Sequence, residues 1–187
     1  MSGPADLTAP ARAFLVALAR EAIAAHLDGR ACATASEHAA LGVPRGAFVT
    51  LRRRADRSLR GCIGYVAPER PLAETVAEAA VAAATQDPRF PAVTLEELAL
   101  LRVEVSALSA AEPIRADEVE VGRHGLIVRH AGRSGLLLPQ VPLAQGWDRV
   151  AFLEQTCVKA GLPRHAWRDP ACELLAFTAL VFGEGED

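Results

Sequence analysis

The alternation that decides the fold class lies in the stretch LRVEVSA, residues 101–107. Its apolar side chains at 101, 103, 105 and 107 point to one face, and Arg102, Glu104 and Ser106 point to the other. This period of two is typical of an antiparallel strand with one buried face and one solvated face. The stretch therefore predicts an antiparallel sheet.

Further strands are predicted on both sides of this stretch. Residues 47–52 and 59–66 flank a charged tip and predict a hairpin, and residues 125–129 and 135–138 predict a second hairpin. Residues 172–182 are apolar on both faces, which predicts one long strand in the middle of a sheet.

Helical spacing of apolar residues appears in residues 10–27 and again after Pro71. Residues 94–97 have the spacing of a capping box for a short helical turn, and Asp148 is suited to cap a further helix that reaches Ala160. Strands joined mostly by hairpins, with helices between groups of strands, favour an α+β fold.

Length and composition limit the class of protein. With 187 residues, of which 51% are hydrophobic, we expect a single domain that covers residues 1–187. No apolar run approaches the roughly 18 residues that cross a bilayer, and residues 1–10 lack the basic start and apolar core of a secretion signal. We therefore expect a cytoplasmic protein without a membrane partner.

Metal, cofactor and nucleic-acid sites have little support in the sequence. The cysteines at 32, 62, 157 and 172 stand far apart without a Cys-x-x-Cys pair, which argues against a zinc site. P-loop, dinucleotide and nucleophile-elbow motifs are missing, so no cofactor is predicted. The net charge of −3 disfavours nucleic acid, and the arginines at 52, 53, 54 and 57 are interpreted mainly as a solvated hairpin tip.

Several short motifs occur together and in order. The hexamer LRGCIG occupies residues 59–64, between GAFVTL at 46–51 and DPRF at 87–90. The pattern continues with EVS at 104–106, HGL at 124–126, LPQ at 138–140 and KAGL at 159–162. In this specific combination, which spans about 14–184, the chain resembles the AMME family, named after the Alport-syndrome chromosomal region.

The resemblance implies an antiparallel sheet with flanking helices and a smaller second lobe, in agreement with the pattern of elements. It also implies that the gene occurs together with genes for a Memo-type protein and a radical-SAM protein. This chain would then be protein A of an AmmeMemoRadiSam system. It implies no particular reaction. The sequence departs from the family pattern at Pro88, where an aromatic or apolar residue is expected, and this departure bears on how Arg89 is presented.

Cys62 is the candidate catalytic residue, with Arg60 as its partner. Strand periodicity places both on one face, and next-but-one positions of a strand are roughly 7 Å apart. An arginine beside a cysteine favours the reactive thiolate, and Gly61 and Gly64 would let a substrate or another backbone approach closely. In the alternative interpretation Cys62 is an inert core thiol and Arg60 pairs with a structural carboxylate such as Glu104.

Six further residues are candidates for binding a small-molecule or peptide substrate: Asp87, Arg89, Glu104, Ser106, His124 and Gln140. The first two lie in a loop stiffened by prolines, and the next two share a strand face. The histidine is suited to proton transfer and the glutamine to orienting a ligand. Each of the six also has a structural interpretation, either as a turn residue, as a residue on the solvent-exposed face of a strand, or as a cap of exposed backbone groups.

Three classes of function stay open. The chain acts either as an enzyme or enzyme subunit that uses the Cys62 face, or as a non-catalytic adaptor that presents a substrate or partner to the Memo-type and radical-SAM proteins. A nucleic-acid-linked regulator that binds through the arginine-rich hairpin is the least favoured class.

Overall fold

The computed structural model describes residues 7–34, 38–67 and 69–185. The described residues up to Leu108, together with those from Leu180 onward, form one compact unit, and Ser109–Ala179 form a second. Antiparallel sheets and helices build both units, which confirms the α+β prediction. Within the described ranges, no helix combines the length and apolarity needed to cross a membrane.

The main elements follow one another in this order: α1 (Ala9–Leu27), β1 (Ala47–Arg53), β2 (Leu59–Tyr65), α2 (Leu72–Thr85), α3 (Leu95–Leu98), β3 (Leu101–Leu108), β4 (Glu112–Pro113), β5 (Gly125–His130), β6 (Arg133–Leu137), α4 (Gln140–Gln145), α5 (Arg149–Lys159), β7 (Glu173–Phe177) and β8 (Ala179–Gly183). The predicted first helix, first hairpin, second helix and capping-box turn are therefore confirmed, and Asp148 caps α5 as expected.

The first unit contains a four-stranded sheet in the order β2-β1-β3-β8. On β1 and β3, alternate residues such as Val49 and Val105 are fully buried and share one core with Leu15 of α1 and Val76 of α2. The helices thus cover one face of this sheet. The polar residues of the 101–107 stretch lie on its other face, as the alternation predicts.

Gly61 lets α2 lie close to the sheet. A Cβ atom at this position would be 2.2 Å from the carbonyl oxygen of Ala83. At Gly64, a Cβ atom would be 2.3 Å from the ring of Phe48 on β1. Of the two uses expected for these glycines, the structure shows close approach of protein groups.

The second unit contains a sheet in the order β4-β7-β5-β6. Leu126 of β5 packs with Phe152 and Leu153 of α5 in one apolar cluster, and Val128 packs with Cys157 in another. The buried side chains on one face of α5 therefore pack against the sheet and form the core of this unit.

The prediction of one long strand over residues 172–182 is wrong. The run divides at Thr178 into β7, an inner strand of the second sheet, and β8, an edge strand of the first. It is apolar throughout because its halves contribute to separate cores, Leu174 in the second unit and Phe182 in the first. A continuous apolar run does not reveal such a change of sheet.

Two local differences also appear in the second unit. The β5–β6 hairpin closes over Ala131 and Gly132, with φ values of 47° and 75°, so Arg133 already belongs to β6. This is the backbone twist that two-residue hairpin turns prefer. Gln140, expected at the end of a strand, instead begins the short helix α4.

Candidate functional site

A β-bulge changes the direction of Arg60. Leu51 on β1 pairs with Gly61 on β2, but the next residue of β1, Arg52, pairs with Leu59, so Arg60 is the extra residue. Simple alternation fails across a bulge, because two residues of one strand then face one residue of the other. The prediction that Arg60 shares the face of Cys62 rests on unbroken alternation, which the bulge interrupts at Arg60.

The Arg60 guanidinium binds the loop after α2 and the short helix α3. Its Nε and Nη2 donate to the carboxylate of Glu97 at 2.6 and 2.8 Å, and Nη2 also donates to the Pro91 carbonyl at 2.9 Å. Arg60 is only 3% exposed. The alternative interpretation therefore holds for this residue, with Glu97 as the structural carboxylate in place of Glu104.

Phe90 connects Arg60 to a second arginine. The Cζ atoms of Arg60 and Arg89 lie over the Phe90 ring, 5.7 and 5.5 Å from its centroid. Nη1 of Arg60 is buried without a hydrogen-bond partner among the described residues, and the ring face gives this charge a cation–π contact instead. Arg60 thereby helps to hold the loop that carries Arg89.

Cys62 lies on the edge strand of the first sheet and is half-buried. The hydroxyl of Thr50, its partner across the β1–β2 pair, donates to the Cys62 sulfur at 3.3 Å. The backbone N–H of Cys62 donates to Oδ2 of Asp87 at 2.8 Å. Both the sulfur and the backbone of this residue are thus held by polar groups.

Asp87 holds Arg89 beside this strand. The Arg89 side chain donates from Nε and Nη2 to the two carboxylate oxygens of Asp87, at 2.9 and 2.7 Å, and its backbone N–H adds a third bond at 3.1 Å. The Asp87 side chain is 2% exposed, whereas that of Arg89 is 54% exposed. A buried carboxylate therefore anchors a guanidinium whose outer part reaches solvent.

These contacts shift the pKa values of both groups. The hydrogen bonds from Arg89 hold the pKa of Asp87 far below its usual range, against the opposing effect of burial, and the backbone N–H of Cys62 adds to the lowering. The pKa of Arg89 is raised, chiefly by its bonds to Asp87, and the charge of a Cys62 thiolate contributes in the same direction. Arg89 and Asp87 therefore form an ion pair beside Cys62, and the guanidinium is the more exposed partner of this pair.

The other three thiols have a different environment. Burial raises the pKa of Cys32, Cys157 and Cys172, and a nearby carboxylate acts in the same direction on each of them. A higher pKa leaves less of the reactive thiolate at neutral pH. These three cysteines therefore fit a structural role better than a nucleophilic one.

The polar face of the first sheet continues from Cys62. Thr50 faces Cys62 on one side and Glu104 on the other, so thiol, hydroxyl and carboxylate form one row across three strands. Ser106 occupies the next row, where Phe48 separates it from Gly64. Opposite residues in such rows have Cβ atoms about 5 Å apart. The structure thus brings Asp87, Arg89, Glu104 and Ser106 into the region of Cys62.

His124 and Gln140 belong to the second unit and have local surroundings. Nδ1 of His124 accepts the backbone N–H of Glu120 at 3.1 Å and closes a turn before β5. Its pKa is lowered by burial and by the nearby Arg123. Gln140 is exposed at the start of α4. The interpretation of His124 as a turn residue accounts for its contact with Glu120.

Three residues of the site were not identified from the sequence: Thr50, Phe90 and Glu97. Each acts through a contact with a residue far away in the sequence, so local spacing contains no signal for it. Thr50 belongs to the GAFVTL motif and Phe90 to the DPRF motif, and these positions were the available hints. Within the described ranges, no cluster of three or more His, Cys, Asp or Glu residues is placed to hold a metal ion.

Comparisons with known proteins agree with the motifs. The family model of AMMECR1 matches residues 16–182. A protein of Methanopyrus kandleri is 46% identical over 182 residues, covering 92% of this chain and 88% of its own length. A protein of Thermococcus gammatolerans is 49% identical over 182 residues, covering 91% and 89% respectively.

The same relationship appears in three dimensions. The crystal structure of an uncharacterized protein from Pyrococcus horikoshii matches with a TM-score of 0.81 and 45% sequence identity. The match covers 92% of this chain and 90% of that one. Since the family model and these relatives span most of the sequence, the protein belongs to the AMMECR1 family, the AMME family that its motifs resemble.

Proposed function

We propose that this AMMECR1-family protein uses the Cys62 thiolate on a small-molecule or peptide substrate. We further propose that it does so in the cytoplasm as one functional domain, as protein A of an AmmeMemoRadiSam system with Memo-type and radical-SAM partners. The partners are proposed from the family resemblance alone. The thiol is proposed from the geometry of the edge strand.

One observation carries the thiol proposal. The carboxylate of Asp87 binds both the backbone N–H of Cys62 and the guanidinium of Arg89, which anchors an exposed guanidinium on the residue that carries the half-buried thiol. A positive charge close to a cysteine stabilises the thiolate, which is the form that attacks electrophiles. The hydroxyl of Thr50 supplies a hydrogen bond to the same sulfur. The arrangement supports nucleophilic chemistry at the Cys62 sulfur.

The simplest reaction for this arrangement is addition of the thiolate to an electrophilic carbon such as a carbonyl. A sulfur–carbon bond forms, and the π electron pair of the carbonyl moves to its oxygen. The exposed part of the Arg89 guanidinium is placed to stabilise the resulting oxyanion. Glu104 and Ser106, on the same sheet face, are proposed substrate contacts.

Arg60 acts as a positioning residue in this proposal. It binds Glu97 and the Pro91 carbonyl and lies over Phe90, the residue that follows Arg89. These contacts support a role for Arg60 in holding the loop, away from the reacting atoms. The site proposed here is built from residues of the first unit, whereas His124 and Gln140 belong to the second.

The test compares small molecules captured by the wild type and by Cys62→Ser after purification from the native host, with mass spectrometry as the readout. Cys172→Ser is the matched control, because it removes another half-buried thiol. We expect a captured molecule, or an adduct on Cys62, that disappears in Cys62→Ser and persists in Cys172→Ser. Identical capture by both variants would contradict the proposal, and retained protein partners would then favour the adaptor role.

A further inference from the structure

A small cleft opens at the hairpin end of the first sheet. Its volume is about 270 Å³, and its lining residues are Arg52, Arg57, Arg102, Val103, Glu104 and Gly183. All six residues belong to the first unit. Three of the six are arginines, which is a high density of positive charge for so small a space.

Two of the arginines are placed by the sheet itself. Arg52 of β1 pairs directly with Arg102 of β3, so their side chains leave the sheet side by side. Like charges in opposite positions of neighbouring strands destabilise a sheet unless something compensates them. One carboxylate, that of Glu104, is available from within the lining and lies 3.9 Å from Nε of Arg52.

The third arginine is held by an ordered hairpin tip. Arg57 adopts a left-handed backbone conformation with φ 60°, and its N–H donates to the Arg53 carbonyl at 2.9 Å. The carboxylate of Asp56 accepts both the N–H and the hydroxyl of Ser58, at 2.9 and 2.6 Å. The connection between β1 and β2 is therefore a defined turn that brings Arg57 to the cleft.

The other two arginines of the hairpin are engaged elsewhere. Arg54 donates to the carboxylate of Glu184, which also binds Arg20, and Arg53 donates to the hydroxyl of Ser58. The Glu184 carboxylate is thus already neutralised by two guanidiniums. Within the lining, three guanidinium charges face one carboxylate, which leaves an excess of two positive charges.

We propose that this cleft binds the oxyanion group of a small ligand, with the phosphate of a phosphorylated molecule as the preferred group. An excess of two positive charges matches the charge of a phosphate dianion. The paired N–H groups of an arginine guanidinium can donate two parallel hydrogen bonds to phosphate oxygens. The volume suits part of a small molecule better than a polymer. Nucleic acid is disfavoured as the ligand because the net charge is −3 and because Arg53 and Arg54 bind Ser58 and Glu184.

The test is isothermal titration of the full chain with inorganic phosphate, with succinate and with a short oligothymidylate, all at constant ionic strength. Arg57→Asn removes one cleft charge, and asparagine tolerates the left-handed backbone at this position. Arg53→Gln is the matched control, because it removes the same charge from the same hairpin outside the cleft. Arg52→Gln is a second cleft variant in case Arg57→Asn disturbs the turn.

We expect phosphate to bind and Arg57→Asn to weaken binding by about tenfold, while Arg53→Gln changes it by less than about twofold. Tighter binding of succinate than of phosphate would still support the oxyanion site and would identify a carboxylate ligand. Binding of neither anion below about 10 mM, or equal losses in Arg53→Gln and Arg57→Asn, would overturn the proposal. Binding of the oligothymidylate alone would also overturn it. Cys62 does not line the cleft, so the arginine variants test this proposal and Cys62→Ser tests the thiol proposal.

Discussion

The carboxylate of Asp87 accepts a 2.8 Å hydrogen bond from the backbone N–H of Cys62, 25 residues earlier in the chain. Because Cys62 lies on an edge strand, such a contact covers a backbone group that the sheet does not pair. The same carboxylate holds Arg89 through two side-chain hydrogen bonds. One buried charge therefore fixes the edge strand and presents an exposed guanidinium beside it.

Asp87→Asn should destabilise the protein by about 2 kcal/mol at pH 7, because it weakens charge-assisted hydrogen bonds at a buried position. The folded-state pKa of Asp87 lies below its unfolded value of about 3.9. The carboxylate therefore stabilises the fold above that value, and this contribution is lost as the pH falls toward the lower folded pKa. Urea unfolding at pH 7 and pH 3 measures the effect.

The difference between wild type and Asp87→Asn should become smaller at pH 3. Asp117→Asn is the matched control, since it removes an exposed carboxylate that pairs with Arg115. It should leave the unfolding midpoint nearly unchanged. A constant difference between pH 7 and pH 3 would show that the Asp87 charge does not provide the stabilisation.

Glu97→Gln should also destabilise the protein by about 2 kcal/mol, because it leaves the buried Arg60 guanidinium without its carboxylate. The matched control is Glu96→Gln, an exposed neighbour on the same short helix, which should leave the unfolding midpoint nearly unchanged. Chemical denaturation of the two variants gives the comparison. Equal midpoints for both variants would exclude a structural Arg60–Glu97 pair.

Local patterns were sufficient to predict much of the first unit. The alternation on β3 and the apolar stripe of α2 were identified correctly, because each depends on residues a few positions apart. The change of sheet at Thr178 was not predicted, since both halves of the run are apolar and only the tertiary structure separates them.

The site was predicted in part for the same reason. Cys62, Asp87 and Arg89 were selected from their motifs, and the structure brings them together. The bulge at Arg60 was not predicted, because a bulge is a property of strand pairing and one strand alone does not reveal it. The exposed cation near the thiol is Arg89, which comes from the loop and not from the same strand.

The alkylation rate of Cys62 with iodoacetamide, measured by peptide mass spectrometry at pH 7, tests the central claim most directly. Cys62 should react faster than Cys172, and Arg89→Gln should slow its reaction by about fivefold, the factor for losing one nearby charge. Arg89→Lys should retain most of the rate, and Arg70→Gln, which removes an exposed arginine paired with Glu78, should retain all of it. Equal Cys62 rates in wild type and Arg89→Gln would contradict the account.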